Sequence, residues 1–556
     1  MNGRINFKKN WLFHEHSTVQ SHTDNRDRKG MKKRSQALAF ILFFFFFTGF
    51  IFSCSDNQSK KVAHSISAED VKKGKHLASV YCQSCHSLPD PSWADSKTWE
   101  NGILPIMGPR LGIFQFNGKY YPASRNDLNL DRGFYPSKPV VTDEQWQQIL
   151  NYYTSAAPDT ITTKQNRKYD IKDSLSVFTA IKPSFHYFTP ATCYVKIDST
   201  SVKSPLIIAD AVKKKIYRFD KNLAIVDSFG TLGPVVDIQM SGLDWIATDI
   251  GVLNPNNGKY GNAQRIRKNN RWTSIKDSGN ILFRDLQRPV HIDSADLNND
   301  GLEDYVVCEF GFLTGAFSWM ENKGDGKFER HILRPLPGAI KVYIQDFNHD
   351  KLPDLLVLFS QGEEGVFLYT NEGNGKFSEK QLLRFPPIYG SSYFELDDFN
   401  NDGYPDILYT CGDNADYSPV LKPYHGVYIF LNDGNNGFAQ KYFFPINGCY
   451  KAVAKDFDND GDLDIAAISF FADYQHQPEE GFVYLENRGN YDFMPYSLPV
   501  TRSGRWLTMD AGDFDHDGKI DLILGNFALG PSIIQPATDW KNSPPFLILK
   551  NRGVNK

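Results

Sequence analysis

The short run CQSCH, from Cys82 to His86, contains the residues with the most specific chemistry in the chain. Its two thiols lie three positions apart and can add to the two vinyl groups of one porphyrin, while the adjacent imidazole can bind the iron. CxxCH is the attachment signal of a c-type haem. A zinc site needs a second cysteine or histidine pair nearby, and a thioredoxin-like CxxC needs a βαβ setting, which this region lacks. The motif therefore predicts one haem, attached through Cys82 and Cys85 and ligated by His86.

Met107 is the predicted sixth ligand, because it is the single methionine between the N-terminal apolar run and residue 157. Its competitors are His64, in a polar stretch near the N-terminus, and His76, in the segment before CxxCH. A thioether ligand suits a relatively high-potential electron carrier. Packing in the core is the alternative role for a lone methionine.

Two helices are expected to position this motif. Ser67 with Asp70 forms a capping box ahead of VKKGKHLASV, and Thr142 with Gln145 forms another. The second helix places four apolar residues on one face, namely Trp146, Ile149, Leu150 and Tyr153. Residues 67–157 therefore resemble a cytochrome c domain, a small all-α fold. The resemblance implies that its first and last helices pack across each other beside the haem, and that Met107 lies in an irregular loop.

The second half of the chain carries an acidic repeat. Five loops match DxNxDGxxD or close variants and recur every 50 to 58 residues. Oxygens at positions 1, 3, 5 and 9, with the backbone carbonyl of position 7, can surround one calcium ion. The predicted ligands are Asp296, Asn298, Asp300, Leu302 and Asp304; Asp346, Asn348, Asp350, Leu352 and Asp354; Asp398, Asn400, Asp402, Tyr404 and Asp406; Asp456, Asp458, Asp460, Asp462 and Asp464; Asp513, Asp515, Asp517, Lys519 and Asp521. About five calcium sites with a structural role are expected, and the alternative is a solvated Asp/Asn turn without metal.

These loops are not EF-hands, because an apolar or aromatic residue replaces the bidentate glutamate at position 12. They resemble the FG-GAP or VCBS repeats of β-propellers, in which each calcium loop joins the first two strands of a blade. An asparagine also ends a later strand of each repeat, at Asn322, Asn371, Asn432, Asn487 and Asn551. Lys351 replaces the position 6 glycine, so the weakest site is expected in loop 346–354.

The predicted fold is therefore multidomain: an all-α cytochrome c domain at 67–157, a linker at 158–187, and an all-β propeller at 188–556. Two segments upstream of the loops, beginning at Ser204 and Pro234, are predicted to be blades without cation loops. They bring the expected total to seven blades, each of four strands, with six or eight as the alternatives.

Three long insertions fall between second and third strands, on the face away from the acidic loops. Six residues are candidates for a partner or substrate site on that face, and the alternative is that they are ordinary strand ends in contact with water: His291, Lys341, Tyr393, Lys451, Arg505 and Trp506. Four further cysteines are expected to be buried free thiols, although Cys411 with Cys449 is left open as a disulfide: Cys193, Cys308, Cys411 and Cys449.

The N-terminal region predicts export. Residues 1–30 resemble an over-extended start, and residues 31–53 combine basic residues with an apolar run, as in a signal peptide. The stretch IFSC resembles the lipobox of bacterial lipoproteins, which implies lipidation of Cys54 and a polar tether over 54–66. A short membrane anchor is the alternative. The expected location is the bacterial cell envelope, lipid-anchored on the periplasmic or cell-surface side of the outer membrane.

A net charge of −4 over 556 residues does not give the excess of positive charge that is typical of nucleic-acid-binding proteins. No catalytic constellation or other redox-cofactor fingerprint is recognised, so an enzyme is not the favoured prediction. The leading hypothesis is a membrane-anchored electron-transfer protein whose propeller binds a redox protein, another envelope protein or a carbohydrate. The alternatives are a propeller-based oxidoreductase or polysaccharide-active enzyme that passes electrons to the cytochrome, and an adhesion module with a vestigial haem.

Overall fold

The computed structural model describes residues 66–161, 165–241, 244–267, 280–413, 420–530 and 538–553. The predicted signal peptide, the lipidation site Cys54, the competing ligand His64 and nearly all of the tether lie outside the described residues. No helix within the described ranges is both long and apolar enough to cross a membrane.

A helical domain precedes the propeller, and both predicted N-caps are present, although only the second is a reciprocal capping box. Helix α1 (Ala68–Tyr81) begins after Ser67, whose hydroxyl accepts the Asp70 N–H. The reciprocal capping box of Thr142 and Gln145 opens the last helix, α4. The remaining elements of this domain are α2 (Ser96–Thr98), a π-helical turn (Trp99–Ile103), α3 (Leu104–Met107), 3₁₀ turns at Pro91–Trp93 and Gly108–Leu111, the hairpin of β1 (Gln115–Phe116) and β2 (Lys119–Tyr120), and α4 (Asp143–Ala156).

Helices α1 and α4 pack closely against each other, and Gly74 marks the contact. A Cβ atom at Gly74 would lie 2.0 Å from the Gln148 carbonyl oxygen and 2.8 Å from the Tyr152 Cβ. Trp146 and Tyr153 of α4 are buried in the core of this domain. The close backbone approach explains why a glycine is needed in the middle of α1, where it otherwise disfavours a helix.

Seven four-stranded antiparallel sheets follow in the described residues, which confirms the predicted number of blades. They are blade 1 of β4 (Thr192–Ile197), β5 (Leu206–Asp210), β6 (Lys215–Phe219) and β7 (Ile225–Gly230); blade 2 of β8 (Val235–Ser241), β9 (Asp244–Asp249), β10 (Gly261–Arg267) and β11 (Ile281–Leu286); blade 3 of β12 (Pro289–Ala295), β13 (Asp304–Glu309), β14 (Ala316–Asn322) and β15 (Phe328–Arg334); blade 4 of β16 (Ala339–Gln345), β17 (Asp354–Phe359), β18 (Gly365–Asn371) and β19 (Phe377–Arg384); blade 5 of β20 (Ser391–Asp397), β21 (Asp406–Cys411), β22 (Gly426–Asn432) and β23 (Phe438–Pro445); blade 6 of β24 (Cys449–Lys455), β25 (Asp464–Ser469), β26 (Phe482–Asn487) and β27 (Phe493–Tyr496); and blade 7 of β28 (Trp506–Gly512), β29 (Asp521–Asn526), β30 (Phe546–Asn551) and β3 (Phe178–Ile181).

Blade 7 is closed by a strand from the other end of the chain. β3 pairs antiparallel with β30, so that Phe178 lies opposite Asn551. The propeller therefore begins at Phe178, which corrects the predicted boundary at 188. The preceding residues are also attached to it: Lys172 bridges to Tyr496, and the Arg167 guanidinium pairs with the buried Glu480 carboxylate. Residues 165–181, the described part of the predicted linker that makes these contacts, therefore run along blades 6 and 7.

The core lies between neighbouring blades. Strands β13, β17, β21, β25 and β29, which follow the five acidic loops, are buried along their whole length. Their continuous apolar runs are expected for strands that are covered on both faces. The first strand of each blade contacts the first strand of the next, and β28 contacts β4, so the ring is complete.

Candidate functional site

The CxxCH motif begins where helix α1 ends. Cys82 is the C-cap of α1 and is half-buried against the helical core, whereas Cys85 is exposed, and both are free thiols. Burial raises the pKa of the Cys82 thiol to about 11. A catalytic CxxC needs a thiol pKa below its ordinary value, so this environment does not favour dithiol redox chemistry.

His86 is oriented by its own neighbour. Its Nδ1 lies 2.8 Å from the backbone oxygen of Ser87 and donates to it in the tautomer that this contact selects. That tautomer leaves Nε2 as the unprotonated nitrogen, which is the form that ligates a metal. Metal-bound histidines almost always donate their other ring N–H to a carbonyl or carboxylate in this way. The residues of the motif therefore fit a haem iron ligated through His86.

Met107 does not lie in an irregular loop, as the cytochrome c resemblance implied, but ends the short helix α3. Pro105 and Pro109 occupy the first turns of α3 and of the following 3₁₀ turn, where their missing N–H groups cost no hydrogen bond, so this run continues as a helix. The Met107 side chain packs partly buried against the helical core. The competing His76 is exposed on α1.

The helical domain is docked on the propeller through three aromatic residues. The Tyr424 hydroxyl donates to the Trp93 carbonyl at 3.2 Å, and the Tyr389 and Tyr424 rings stack with centroids 4.5 Å apart. The Asn257 amide adds a hydrogen bond of 2.8 Å to Asp127. Tyr424 lies between the second and third strands of blade 5, and Tyr389 lies before its first strand. The CxxCH domain is therefore attached to the face away from the acidic loops.

Backbone hydrogen bonds orient the carboxylates in each acidic loop. In the first loop, the N–H groups of Asp300 and Gly301 donate to the Asp296 carboxylate at 3.1 and 2.8 Å, and Leu302 N–H donates to Asp300. The equivalent bonds recur in the other four loops. This shared geometry brings the oxygens of positions 1 and 5 to the same turn in all five repeats.

The position 9 aspartates fasten each loop to its blade, a role that the sequence did not reveal. Asp304 accepts the N–H of Leu297 at 3.2 Å and that of Asn322 at 2.7 Å, and its four equivalents make the same pair of bonds. Burial raises the pKa of Asp464 and of Asp521 to about 7. Position 9 therefore has a structural role in each blade that does not depend on a bound ion.

In each of the last two loops, three carboxylate side chains come close together. Ligand oxygens of Asp456, Asp458 and Asp460 lie within 4.8 Å of one another, and a second such group consists of Asp513, Asp515 and Asp521. Burial, followed by repulsion from Asp460 and Asp456, raises the pKa of Asp458 to about 6. Crowded hard oxygens of this kind fit a calcium ion, whose charge would offset the repulsion.

Lys351 takes the left-handed conformation that the repeat requires, with φ of 74°. Glycine occupies this position in the other four loops, at Gly301, Gly403, Gly461 and Gly518, also with positive φ. The expected local strain is therefore present in loop 346–354, because a residue with a Cβ disfavours this region.

Hydrogen bonds also connect the acidic loops to the following blades. The Asn371 side-chain amide donates to the Leu297 carbonyl in the loop of blade 3, and Asn436 donates to the Phe347 carbonyl in the loop of blade 4, both at 2.9 Å. Asn551 makes the corresponding bond, of 2.6 Å, to Phe457 in blade 6. The sequence identified Asn371 and Asn551 as strand ends but gave no sign of these partners.

Four of the predicted face residues lie on first strands, where they make polar contacts with neighbouring blades. His291 Nδ1 is 2.9 Å from an Asp237 oxygen, and Lys341 Nζ donates to the Tyr393 hydroxyl at 2.8 Å. The Lys451 ammonium lies 4.6 Å from the Tyr393 ring centroid. Burial lowers the pKa of Lys341 to about 8. These polar contacts join neighbouring blades, and the four side chains remain half-buried.

Arg505 and Trp506 do not belong to an accessible face, because each is only 2% exposed. The Arg505 guanidinium packs 3.7 Å from the Phe470 ring and donates to the Phe470 carbonyl, and Trp506 Nε1 donates to the Thr501 carbonyl. Their strand-end position suggested exposure, but Phe470 of the insertion after β25 covers Arg505, and Trp506 packs in the core between blades 6 and 7. The cysteines Cys193, Cys308, Cys411 and Cys449 are buried free thiols.

Comparisons with known proteins agree with this repeat architecture. Residues 296–357 and 346–409 match the family model of the FG-GAP-like repeat. Cartilage acidic protein 1 of Mus musculus is 28% identical over 199 residues, which cover 34% of this chain and 29% of that protein. The Xenopus tropicalis protein of the same name is 29% identical over 198 residues, covering 33% and 28%. The chain thus matches less than a third of the length of these curated relatives.

Among solved structures, BBS1N in complex with ARL6DN is similar with a TM-score of 0.40 and 11% identity, covering 68% of this chain and 97% of that one. Saccharomyces cerevisiae Sqt1 gives a TM-score of 0.39 and 9% identity, with 69% and 100% covered. Likenesses at this level support no functional argument. The sheet topology and the matched repeats together show that the chain carries FG-GAP-like repeats in a seven-bladed β-propeller.

Proposed function

We propose that this chain is an electron-transfer protein whose helical domain carries one c-type haem and whose propeller binds a protein partner. The observation that carries the proposal is the contact of 2.8 Å between His86 Nδ1 and the Ser87 carbonyl, next to two free thiols with CxxCH spacing. This contact orients the imidazole and leaves Nε2 available as a ligand.

Cys82 and Cys85 would hold the porphyrin through thioethers, with His86 and Met107 as the axial ligands. A haem bound in this way supplies reversible transfer of single electrons. The protein contributes a fixed imidazole orientation, through Ser87, and a core that partly excludes water around Cys82. The proposed role is therefore electron transfer rather than chemistry on a substrate.

The axial assignment is tested by absorption spectroscopy on protein made in a host with working haem-attachment machinery. We expect Met107→Leu to remove the charge-transfer band of a methionine-ligated ferric haem, and His76→Leu to leave it unchanged. His76 is the matched control because it is exposed on α1. Absence of the band from the wild-type protein, or an unchanged band in Met107→Leu, would contradict Met107 as the ligand.

The propeller is the proposed docking platform, since FG-GAP repeats recur in proteins that bind other proteins. The aromatic contact of Trp93 with Tyr389 and Tyr424 supports this arrangement, because it attaches the helical domain to one propeller face. A redox protein that binds this face would approach the CxxCH domain directly. Cross-linking in cells, followed by mass spectrometry, should place partner contacts on this face, and contacts confined to the acidic-loop face would argue against it.

Calcium binding by the acidic loops is a second part of the proposal, with a structural role. The support is the shared set of N–H bonds that turns carboxylates toward one point, together with the raised pKa of Asp458. Each ion would offset repulsion in a loop that joins the first two strands of a blade. Stripping with EDTA should lower Tm, calcium should restore it, and an unchanged Tm would contradict this part.

The cellular location is proposed from the N-terminal sequence, with Cys54 as the lipid-bearing residue. Labelling with a radioactive fatty acid should mark the full-length chain and not the Cys54→Ala variant. Equal labelling of the two chains would contradict the assignment.

A further inference from the structure

One residue on the third strand faces position 3 of the acidic loop in the same blade. In blade 3, Glu321 accepts a hydrogen bond of 3.1 Å from the Asn298 side chain. In blade 7, Lys550 donates to the Asp515 carboxylate. Both residues directly precede the asparagine that ends the strand, and Asn298 and Asp515 are both third in their loops. The residue before the strand-ending asparagine is therefore a neighbour of the acidic loop. The repeat pattern alone did not identify it as one.

The charge of this residue differs between blades. The five residues, from blade 3 to blade 7, are Glu321, Thr370, Leu431, Glu486 and Lys550. Glu486 of blade 6 contributes to the raised pKa of Asp458, so it adds negative charge to a loop that already has five aspartates. Lys550 has the opposite sign. Among the five blades, blade 7 alone places a cation at this position.

The Lys550 ammonium lies among the carboxylates of loop 513–521 in the same blade. Besides its bond to Asp515, its Nζ lies 3.4 Å from an Asp517 oxygen. Asp515 and Asp517 hold positions 3 and 5, whose oxygens a calcium ion in this loop would need. Two cations that share these carboxylates would repel each other at short range, and partial burial weakens solvent screening of that repulsion. The Lys550 side chain is 32% exposed, so its pairing is not that of a free surface lysine.

We propose that Lys550 is the built-in cation of loop 513–521, so that this loop does not bind calcium whereas loop 456–464 does. The inference deepens the calcium proposal and rests on it. Blade 7 is also the closing blade, in which Lys550 lies opposite Thr179 of β3. A covalently attached cation at that position makes closure of the ring independent of the calcium concentration.

The test is the number of calcium ions bound per full-length chain, measured by equilibrium dialysis after EDTA treatment. We expect Asp513→Asn to leave the number unchanged and Asp456→Asn to lower it by one. Lys550→Met should raise it by one, because it frees Asp515 and Asp517. Lys168→Met is the matched control: its Nζ is 2.7 Å from Asp492, which lies outside the five acidic loops, and the number should stay the same.

A loss of one ion in Asp513→Asn would overturn the proposal, and so would an unchanged number in Lys550→Met. If the wild-type chain bound no calcium, the calcium proposal itself would fail. The role of Lys550 would then be tested by thermal unfolding in the absence of metal. In EDTA, Lys550→Met and Asp515→Asn should each lower Tm, and the double variant should lower it by less than their sum. Additive effects would show that Lys550 does not serve as the cation of this loop.

Discussion

The Asn371 side-chain amide, at the end of β18 in blade 4, donates a hydrogen bond of 2.9 Å to the Leu297 carbonyl in the acidic loop of blade 3. The same amide bonds the Pro353 carbonyl of its own blade at 3.1 Å. Asn371 is therefore a fastening point between two blades, and it is 1% exposed, so water cannot replace these bonds easily.

Asn371→Ala should lower the free energy of unfolding by about 2 to 3 kcal/mol, because it leaves the buried Leu297 carbonyl and the half-buried Pro353 carbonyl without the amide. Chemical denaturation with and without calcium measures the effect. Glu372→Ala is the matched control in the same hairpin, where the side chain is exposed, and should change stability little. Equal effects of the two substitutions would show that the amide does not fasten the blades.

Lys351→Gly should stabilise the protein by about 1 kcal/mol and strengthen calcium binding by loop 346–354, because glycine adopts the positive φ without a Cβ penalty. Lys351→Ala separates strain from charge, since it removes the ammonium but keeps the Cβ. Thermal unfolding and calcium titration of both variants provide the comparison. A larger gain from alanine than from glycine would assign the weakness of this loop to charge instead of strain.

Without calcium, stability should fall as pH rises from about 5.5 to 8. The pKa of Asp464 and of Asp521 rises from 3.8 to about 7, and that of Glu364 from 4.5 to about 7, in each case mainly by burial. Between the unfolded and folded values the native state holds protons that the unfolded chain has lost, so deprotonation on raising the pH disfavours folding.

Tm measured in EDTA across this range tests the sign, and Asp464→Asn should make the decrease shallower. Calcium competes with protons for the loop carboxylates, so its stabilising effect should be larger at about pH 8 than at about pH 5.5. An increase of Tm with pH in EDTA would contradict the expected contribution of these carboxyl groups.

Gly74→Ala should destabilise the helical domain by about 1 to 3 kcal/mol, because the new methyl group would force α1 and α4 apart. Gly133→Ala is the control, since its Cβ would meet no atom within 4 Å. Limited proteolysis followed by mass spectrometry of the fragments reports the stability of this domain. Equal resistance of the Gly74 and Gly133 variants would mean that the helix contact is not close.

The repeat spacing was sufficient to predict seven blades, because each blade carries its own acidic loop or a strand-rich equivalent. The two helix caps were equally readable, since Thr142 and Gln145 act locally. Strand β3 was missed because its four residues lack a loop motif and its partner, β30, lies at the other end of the chain. Local pattern does not specify such a distant pairing.

The sequence also did not predict which side chains of the candidate site are buried. Arg505 was expected on an open face, yet its guanidinium is covered by Phe470 from an insertion in another blade. Met107 was placed in a loop by analogy, although the two prolines beside it start helical turns. In each case the outcome depended on tertiary contacts or on where a turn begins, and neither is fixed by residue type alone.

The central claim, a haem attached through Cys82 and Cys85, is tested most directly by the mass of the denatured chain. Protein made with haem-attachment machinery should be heavier by one haem, and its colour should remain with the polypeptide after acid–acetone extraction. Replacing both cysteines by alanine should abolish the added mass, whereas Ser84→Ala, between them, should retain it. A colourless wild-type chain of unmodified mass would contradict the account.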